Sequence, residues 1–189
     1  MARAAARWVT MLCLGLWMGG IIFLGAVSAP AIFRFCRAHG VESLAPQIVG
    51  ALVARFGPLS AILGVVLCVA WLAESALGVR RGPQNARKLW LAQGCCLAAM
   101  LALALYLNFD ALPTLLREQA AVIAESAANG TPLTTAPGVA KSAVRLHFDT
   151  LHQRYSLLTM VIFWIGAAAL ALFSWRLSRD ESAAVEPRA

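Results

Sequence analysis

The side chains with the most chemistry in this 189-residue chain cluster between Arg145 and Thr159. At about 100° per residue of helix, Arg145, Asp149, His152, Ser156 and Thr159 fall within an arc of roughly 80°, so one polar stripe runs into an apolar segment. Arg145 and Asp149 have i,i+4 spacing and can pair, and His152 and Ser156 repeat that spacing one turn further on. Arg34 follows the first apolar segment and Asp110 the third, which brings charge to a similar level on other helices. The pattern predicts an outward-facing polar network in which Asp149 pairs with Arg145 or Arg34 and His152 hydrogen-bonds to a neighbouring helix. Polar groups at the edge of hydrocarbon face partners or a water-filled cavity. Both a structural network and a binding or proton-handling site meet that requirement.

Glu74 is the one acid inside an apolar gap, six residues before Arg80. It can reach the membrane surface, with Arg81, Arg87 or Lys88 as countercharge and Gln93 at similar depth, or take part in a proton or ion relay. The cysteines and histidines make weaker patterns. Cys36 and His39 stand in a Cys-x-x-His spacing that His152 could join, and Cys13 with Cys95 and Cys96 could form a thiolate site. His147 points away from His152 on a regular helix, so those two cannot share a metal, and buried cysteines commonly act as small hydrophobes. No cofactor or metal is therefore expected. No phosphate loop, nucleophile elbow, metalloprotease helix or dinucleotide fingerprint is present, which removes the common soluble enzyme classes.

These groups must be positioned by membrane helices. The chain is 60% hydrophobic and only 13% charged, against roughly 25% charged in ordinary soluble domains. Its charges leave four long gaps of the ~20 residues that a helix needs to cross ~30 Å of hydrocarbon. Spans are expected at about 8–33, 57–79, 89–109 and 154–176, within a single domain over 1–180, followed by a disordered tail at 181–189. The fold class is all-α: an integral membrane four-helix bundle of two transmembrane hairpins, with an extra helical segment near Pro113 to Ala128 in the long outer connection. Leu44, Ile48, Leu52 and Val53 give the first outer connection an amphipathic face, and a tight turn is expected from Arg80 to Lys88. Gly15 and Gly19 form a GxxxG pair that reads as a packing motif together with Gly20 and Pro30, on a stripe continuing through Ile22, Ala26 and Phe33. Within-chain packing is the plainer reading, and self-association the sharper one.

The net charge of +7 needs no nucleic acid to explain it, because Lys and Arg gather at cytoplasmic helix ends. Arg3, Arg7, Arg80, Arg81, Arg87, Lys88, Arg176, Arg179 and Arg188 share one side if four spans are crossed, which places both termini in the cytoplasm of a bacterial-type inner membrane. The partners expected are the lipid bilayer and either a homo-oligomer or another membrane protein.

Two motifs resemble a known family. Trp17, Met18, Gly19 and Gly20 followed by Ala29, Pro30, Ala31, Ile32 and Phe33 form the first, and Phe148, Leu151, His152 and Ser156 the second. Tyr106, Pro113 and Arg117 fall where that family places an aromatic, a proline and a basic residue. From Trp8 to about Phe173 the chain resembles the membrane proteins grouped as domain of unknown function 4149, similar to the transmembrane protein 205-like group. An Ala-rich insertion before Lys141 departs from the pattern. The resemblance implies a four-span bundle without an established activity, with eukaryotic relatives linked to drug-resistance phenotypes. The expected function is a non-catalytic membrane subunit or scaffold. The alternatives are small-molecule transport or an efflux accessory, and a haem- or metal-binding redox protein.

Overall fold

The computed structural model describes residues 1–76, 84–129 and 141–185, and these are helical with no strand among them. Six α-helices follow in order: α1 (Ala2–Ile22), α2 (Ala29–Ala38), α3 (Leu44–Ala76), α4 (Gln84–Tyr106), α5 (Leu112–Asn129) and α6 (Ala143–Val185). Short π-helical segments at Phe23–Ser28 and Leu107–Ala111 join α1 to α2 and α4 to α5. Four continuous helices long and apolar enough to cross a membrane result: Ala4–Ala38, Leu44–Ala76, Arg87–Asn129 and Ala143–Ser178.

These run 33 to 43 residues, or roughly 50–65 Å at 1.5 Å per residue, well beyond the ~30 Å that hydrocarbon requires. Segments expected as connections are accordingly helical. The amphipathic stretch from Leu44 to Val53 forms the first turns of α3, and the segment near Pro113 is α5 continuing α4. α6 extends through 181–185, where a disordered tail was expected. Positions 77–83, which include the start of the expected Arg80 to Lys88 turn, the loop within 130–140, and 186–189 lie outside the described residues, and Gln84 to Lys88 of that turn are helical in α4.

Only 22% to 33% of the most apolar window of each helix is buried. Leu12, Leu16, Val65, Val69, Leu72, Leu157, Met160 and Trp164 are exposed. Exposed apolar surface on this scale marks an interaction with lipid or protein, and on helices of this length it marks a multi-pass membrane protein.

The chain divides into two compact units. The first comprises Met1–Gly19, Ser60–Ala104 and Val161–Ala189. Its inward positions alternate in steps of three and four: half-buried Arg7, then buried Thr10, Leu14 and Trp17 on α1; Ser60, Gly64, Leu67, half-buried Trp71 and Glu74 on α3; Trp90, Gln93, Leu97, Met100 and Ala104 on α4; Ile162, Gly166, Ala169, Phe173 and Arg176 on α6. This 3.5-residue repeat is the spacing that keeps one seam facing the partners in a left-handed bundle. Lipid offers no hydrophobic drive to associate, so close contact depends on small residues. A Cβ at Gly64 would lie 2.8 Å from Leu101 and 3.0 Å from the Trp17 ring, one at Gly94 would strike Trp71, and one at Gly166 would strike Met18.

The second unit comprises Gly20–Leu59 and Leu105–Met160. Here Gly20 meets the Phe56 ring, Gly50 meets Leu116, and Gly57 meets Asn108, whose Nδ2 donates to the Gly57 carbonyl at 2.9 Å.

The GxxxG expectation is corrected. Gly15 and Gly19 are exposed, with nothing within 4 Å of where a Cβ would stand, and Ile22, Ala26, Pro30 and Phe33 on the same stripe are exposed as well. Of that motif, Gly20 makes the close approach. The cause is partly helical phase and partly the π-helical segment, which takes an extra residue and turns the buried stripe.

Gly94→Leu should therefore lower stability by about 1–3 kcal/mol through overpacking against Trp71, whereas Gly19→Leu should stay within about 0.5 kcal/mol of the parent. Thermal unfolding in mild detergent measures both. An equal loss at the two glycines would contradict the assignment of faces.

Candidate functional site

In the first unit the seams carry charge at their ends. Glu74 on α3 is 1% exposed and Arg176 on α6 is 3% exposed. Arg7 Nε on α1 donates to Glu74 Oε1 at 2.8 Å, and Arg176 Nη2 donates to Glu74 Oε2. One carboxylate thus accepts from two guanidiniums on different helices, each oxygen serving a separate donor. The Arg176 guanidinium also lies 5.3 Å from the Phe173 ring centroid, in cation–π range. Of the expected countercharges, Arg87 and Lys88 do not serve Glu74. Arg87 and Lys88 are exposed, and Arg81 lies outside the described residues.

Next along the α4 seam stand Trp90 and Gln93. Trp71 stacks on Trp90 at 4.0 Å and donates its indole N–H to the Trp90 carbonyl at 3.2 Å. Gln93 is 1% exposed, and neither of its amide atoms has a hydrogen-bond partner; the Trp90 Nε1 likewise has none. An unmet polar group out of water costs about 1–3 kcal/mol, so this unit carries a polar section that apolar packing alone would not retain.

In the second unit α2, α3, α5 and α6 enclose a cavity of about 350 Å³. Ala29 and Phe33 from α2, Val49 and Val53 from α3, Leu112 and Leu115 from α5, and Phe148 from α6 supply apolar wall. Arg37, Glu42, Gln119, Arg145, His152 and Tyr155 supply the polar groups. Arg145 is placed by a local device: Ser142 precedes α6, its hydroxyl accepts the Arg145 backbone N–H at 3.2 Å, and the same hydroxyl donates to Glu125 on α5 at 2.8 Å. Ser142 thus acts as the helix cap, leaving the N3 residue committed to the α6 entry. The Arg145 Nε is shielded from solvent and has no acceptor.

The structure brings together part of the network expected from sequence. Arg145 and His152 both line the cavity. Asp149 does not join them; it pairs with Lys141, with both side chains partly exposed. Arg34 donates to its own helix at the Pro30 carbonyl, 3.3 Å away, and is exposed. Asp110 and Ser156 are exposed and line no part of the cavity. His152 stacks on Phe148 at 5.8 Å within α6, where a hydrogen bond to another helix was expected. The physical reason is where the stripe is centred: the residues of α6 that line the cavity are Arg145, Phe148, His152 and Tyr155, an arc on the Phe148 side of Arg145, whereas Asp149 and Ser156 stand roughly 20–40° to its other side.

No three of His, Cys, Asp and Glu among the described residues group closely enough to hold a metal ion. Cys36 is buried, while His39 is exposed, stacks on Phe35 at 4.2 Å and engages the Phe35 carbonyl through Nδ1. The cavity pairs a cation with apolar walls, an arrangement suited to holding a molecule.

A family model described as Domain of unknown function (DUF4149) matches residues 12–121. That interval includes Glu74, Gln93 and the α2, α3 and α5 walls of the cavity. No curated protein matches the chain significantly, and no solved structure does.

Glu74→Ala should cost about 3–5 kcal/mol, because it strands two guanidiniums in an apolar section, whereas Asp149→Ala, which breaks a partly exposed pair, should cost under about 1 kcal/mol. Unfolding of the two variants in the same detergent gives the comparison. A Glu74→Ala protein as stable as Asp149→Ala would remove the charge cluster from the structural account.

Proposed function

The chain belongs to the DUF4149 family, and on that footing we propose that it is a bacterial-type inner-membrane protein that binds a small molecule without covalent chemistry. The carrying observation is the 350 Å³ cavity, apolar over most of its wall yet holding the solvent-shielded, acceptor-free Nε of Arg145. Ligand sites are commonly cavities of roughly 300–1,000 Å³ with a few converging polar groups. Binding, rather than turnover, fits the side chains present, since Asp149 is engaged by Lys141 and Cys36 and Ser156 are not in the wall. A subunit or scaffold with a bound small molecule is the corresponding role, in the bilayer and alongside a second copy or another membrane protein.

Both termini are read as cytoplasmic from the Lys and Arg bias. Four crossings then put the connections after α2 and α5 outside, next to the helix ends that build the cavity. The finer kinship with the transmembrane protein 205-like group draws support from Trp17 to Gly20 and Ala29 to Phe33.

Reporter fusions test the orientation: alkaline phosphatase should be active when fused at Asn129 and inactive at the tail, and an active tail fusion would reverse it. For the cavity, solvent extraction of protein purified in mild detergent should release one small-molecule species that is absent from a Val53→Trp variant, in which the indole fills the space. Equal recovery from both, or none from either, would count against the binding reading.

A further inference from the structure

We propose that the cavity takes a single-chain anionic amphiphile, a medium-chain carboxylate whose head pairs with Arg145 and whose tail lies against α3 and α5. This rests on the reading of the cavity as a binding site and adds the chemical class of what enters it. Charge decides the head. The cavity holds one carboxylate, Glu42, and that group stands 3.9 Å from the Arg37 guanidinium, also in the wall. Arg145 is left with an unanswered charge among the described cavity residues, and its Nε has no acceptor although solvent is excluded from it. A guanidinium in such a place favours a planar, two-oxygen anion, which a carboxylate supplies in matching geometry. His152 and Tyr155, about two and three turns further along the same side of α6, offer further hydrogen-bonding groups.

Shape decides the tail. Val49, Val53, Leu112, Leu115 and Phe148 line the space with nothing but hydrocarbon. A volume of about 350 Å³ lies at the small end of the roughly 300–1,000 Å³ range of ligand sites, room for one slender chain. That suits a carboxylate with a chain of about ten carbons better than a bilayer phospholipid with two long chains. An inorganic anion would leave the apolar wall uncovered, and a cationic amphiphile would face Arg145 with like charge.

The test is calorimetric titration of the full chain in nanodiscs of zwitterionic phosphatidylcholine, with decanoate, decanol and decylammonium as probes and empty discs as the blank for partitioning into lipid. Decanoate should bind saturably at one per chain, at least tenfold more tightly than either other probe. Arg145→Gln should bring decanoate to within about twofold of decanol, and Arg145→Lys should retain part of the preference, because the charge remains while the two-pronged geometry is lost. Decanol binding as tightly as decanoate would overturn the anionic assignment while leaving the cavity as a binding site. No saturable binding of any probe would overturn both. The three-probe comparison on the unaltered chain decides the matter even if Arg145→Gln fails to fold.

Discussion

A carboxylate taken out of water is tolerated when each of its oxygens is answered, and Glu74 is answered by Arg7 on α1 and Arg176 on α6. The desolvation of such ions costs several kcal/mol apiece, which their mutual attraction offsets when the donors are correctly placed. The consequence is register. Sliding α1 or α6 by one turn would move a guanidinium by ~5.4 Å along its axis and leave an uncompensated charge in an apolar section. Three helices are thus held in axial position by one side chain. Trp71 and Trp90, stacked beside it, do the same for α3 and α4 by a shared hydrogen bond and ring contact.

Away from the charges, the first unit is held by shape. Its helices have no apolar surface to withdraw from water, since lipid is as apolar as leucine, and contact must be won through dispersion at close range. That explains the pairing of the smallest residues with the largest: Gly64 beside Trp17, Gly94 beside Trp71, Gly166 beside Met18 and Met100. The second unit follows the same rule with Gly20 and Phe56, and adds a polar clasp from Asn108 to the Gly57 carbonyl ahead of Pro58.

What could be read from sequence follows from which forces are local. Charge-free gaps mark the four crossings because insertion depends on each segment's own composition. Partners of polar residues are set by other helices, and nearness along the chain is a poor guide to them: Arg87 and Lys88, across the nearest turn, do not serve Glu74, whereas Arg7 and Arg176, from opposite ends of the sequence, do. Asp149 and Ser156 were placed inward by a stripe centred on Arg145, but the residues of α6 that line the cavity are Arg145, Phe148, His152 and Tyr155. At about 100° per residue the lining arc falls on one side of Arg145 and the two polar residues on the other, an offset of less than one residue step that polarity alone did not reveal. A signal was present nonetheless. Arg7, Glu74 and Arg176 each continue a three-and-four spacing of apolar or small residues, so their inward direction was legible even though their meeting was not.

The two prolines explain why the stripe could not be followed through the other helices. Pro30 and Pro113 lack an N–H and would press on the carbonyls of Ala26 and Phe109, four residues earlier. In both helices the preceding turn is widened instead, with the backbone N–H of Ala29 reaching back five residues to Leu24 and that of Leu112 to Leu107. Each widened turn uses one extra residue. The buried positions Ala104 on α4 and Leu107 at the start of the widened turn would continue to Ala111 and Thr114 on an unbroken seam, but those of α5 are Leu112, Leu115 and Val122. Likewise Cys36 is buried on α2 where an unbroken α1 seam would bury Phe35, which is exposed. The inserted residues therefore decide which side chains α2 and α5 present to the cavity: Leu112 and Leu115 stand in its wall in place of Ala111 and Thr114, so its hydrocarbon lining depends on two prolines that are not themselves in the wall.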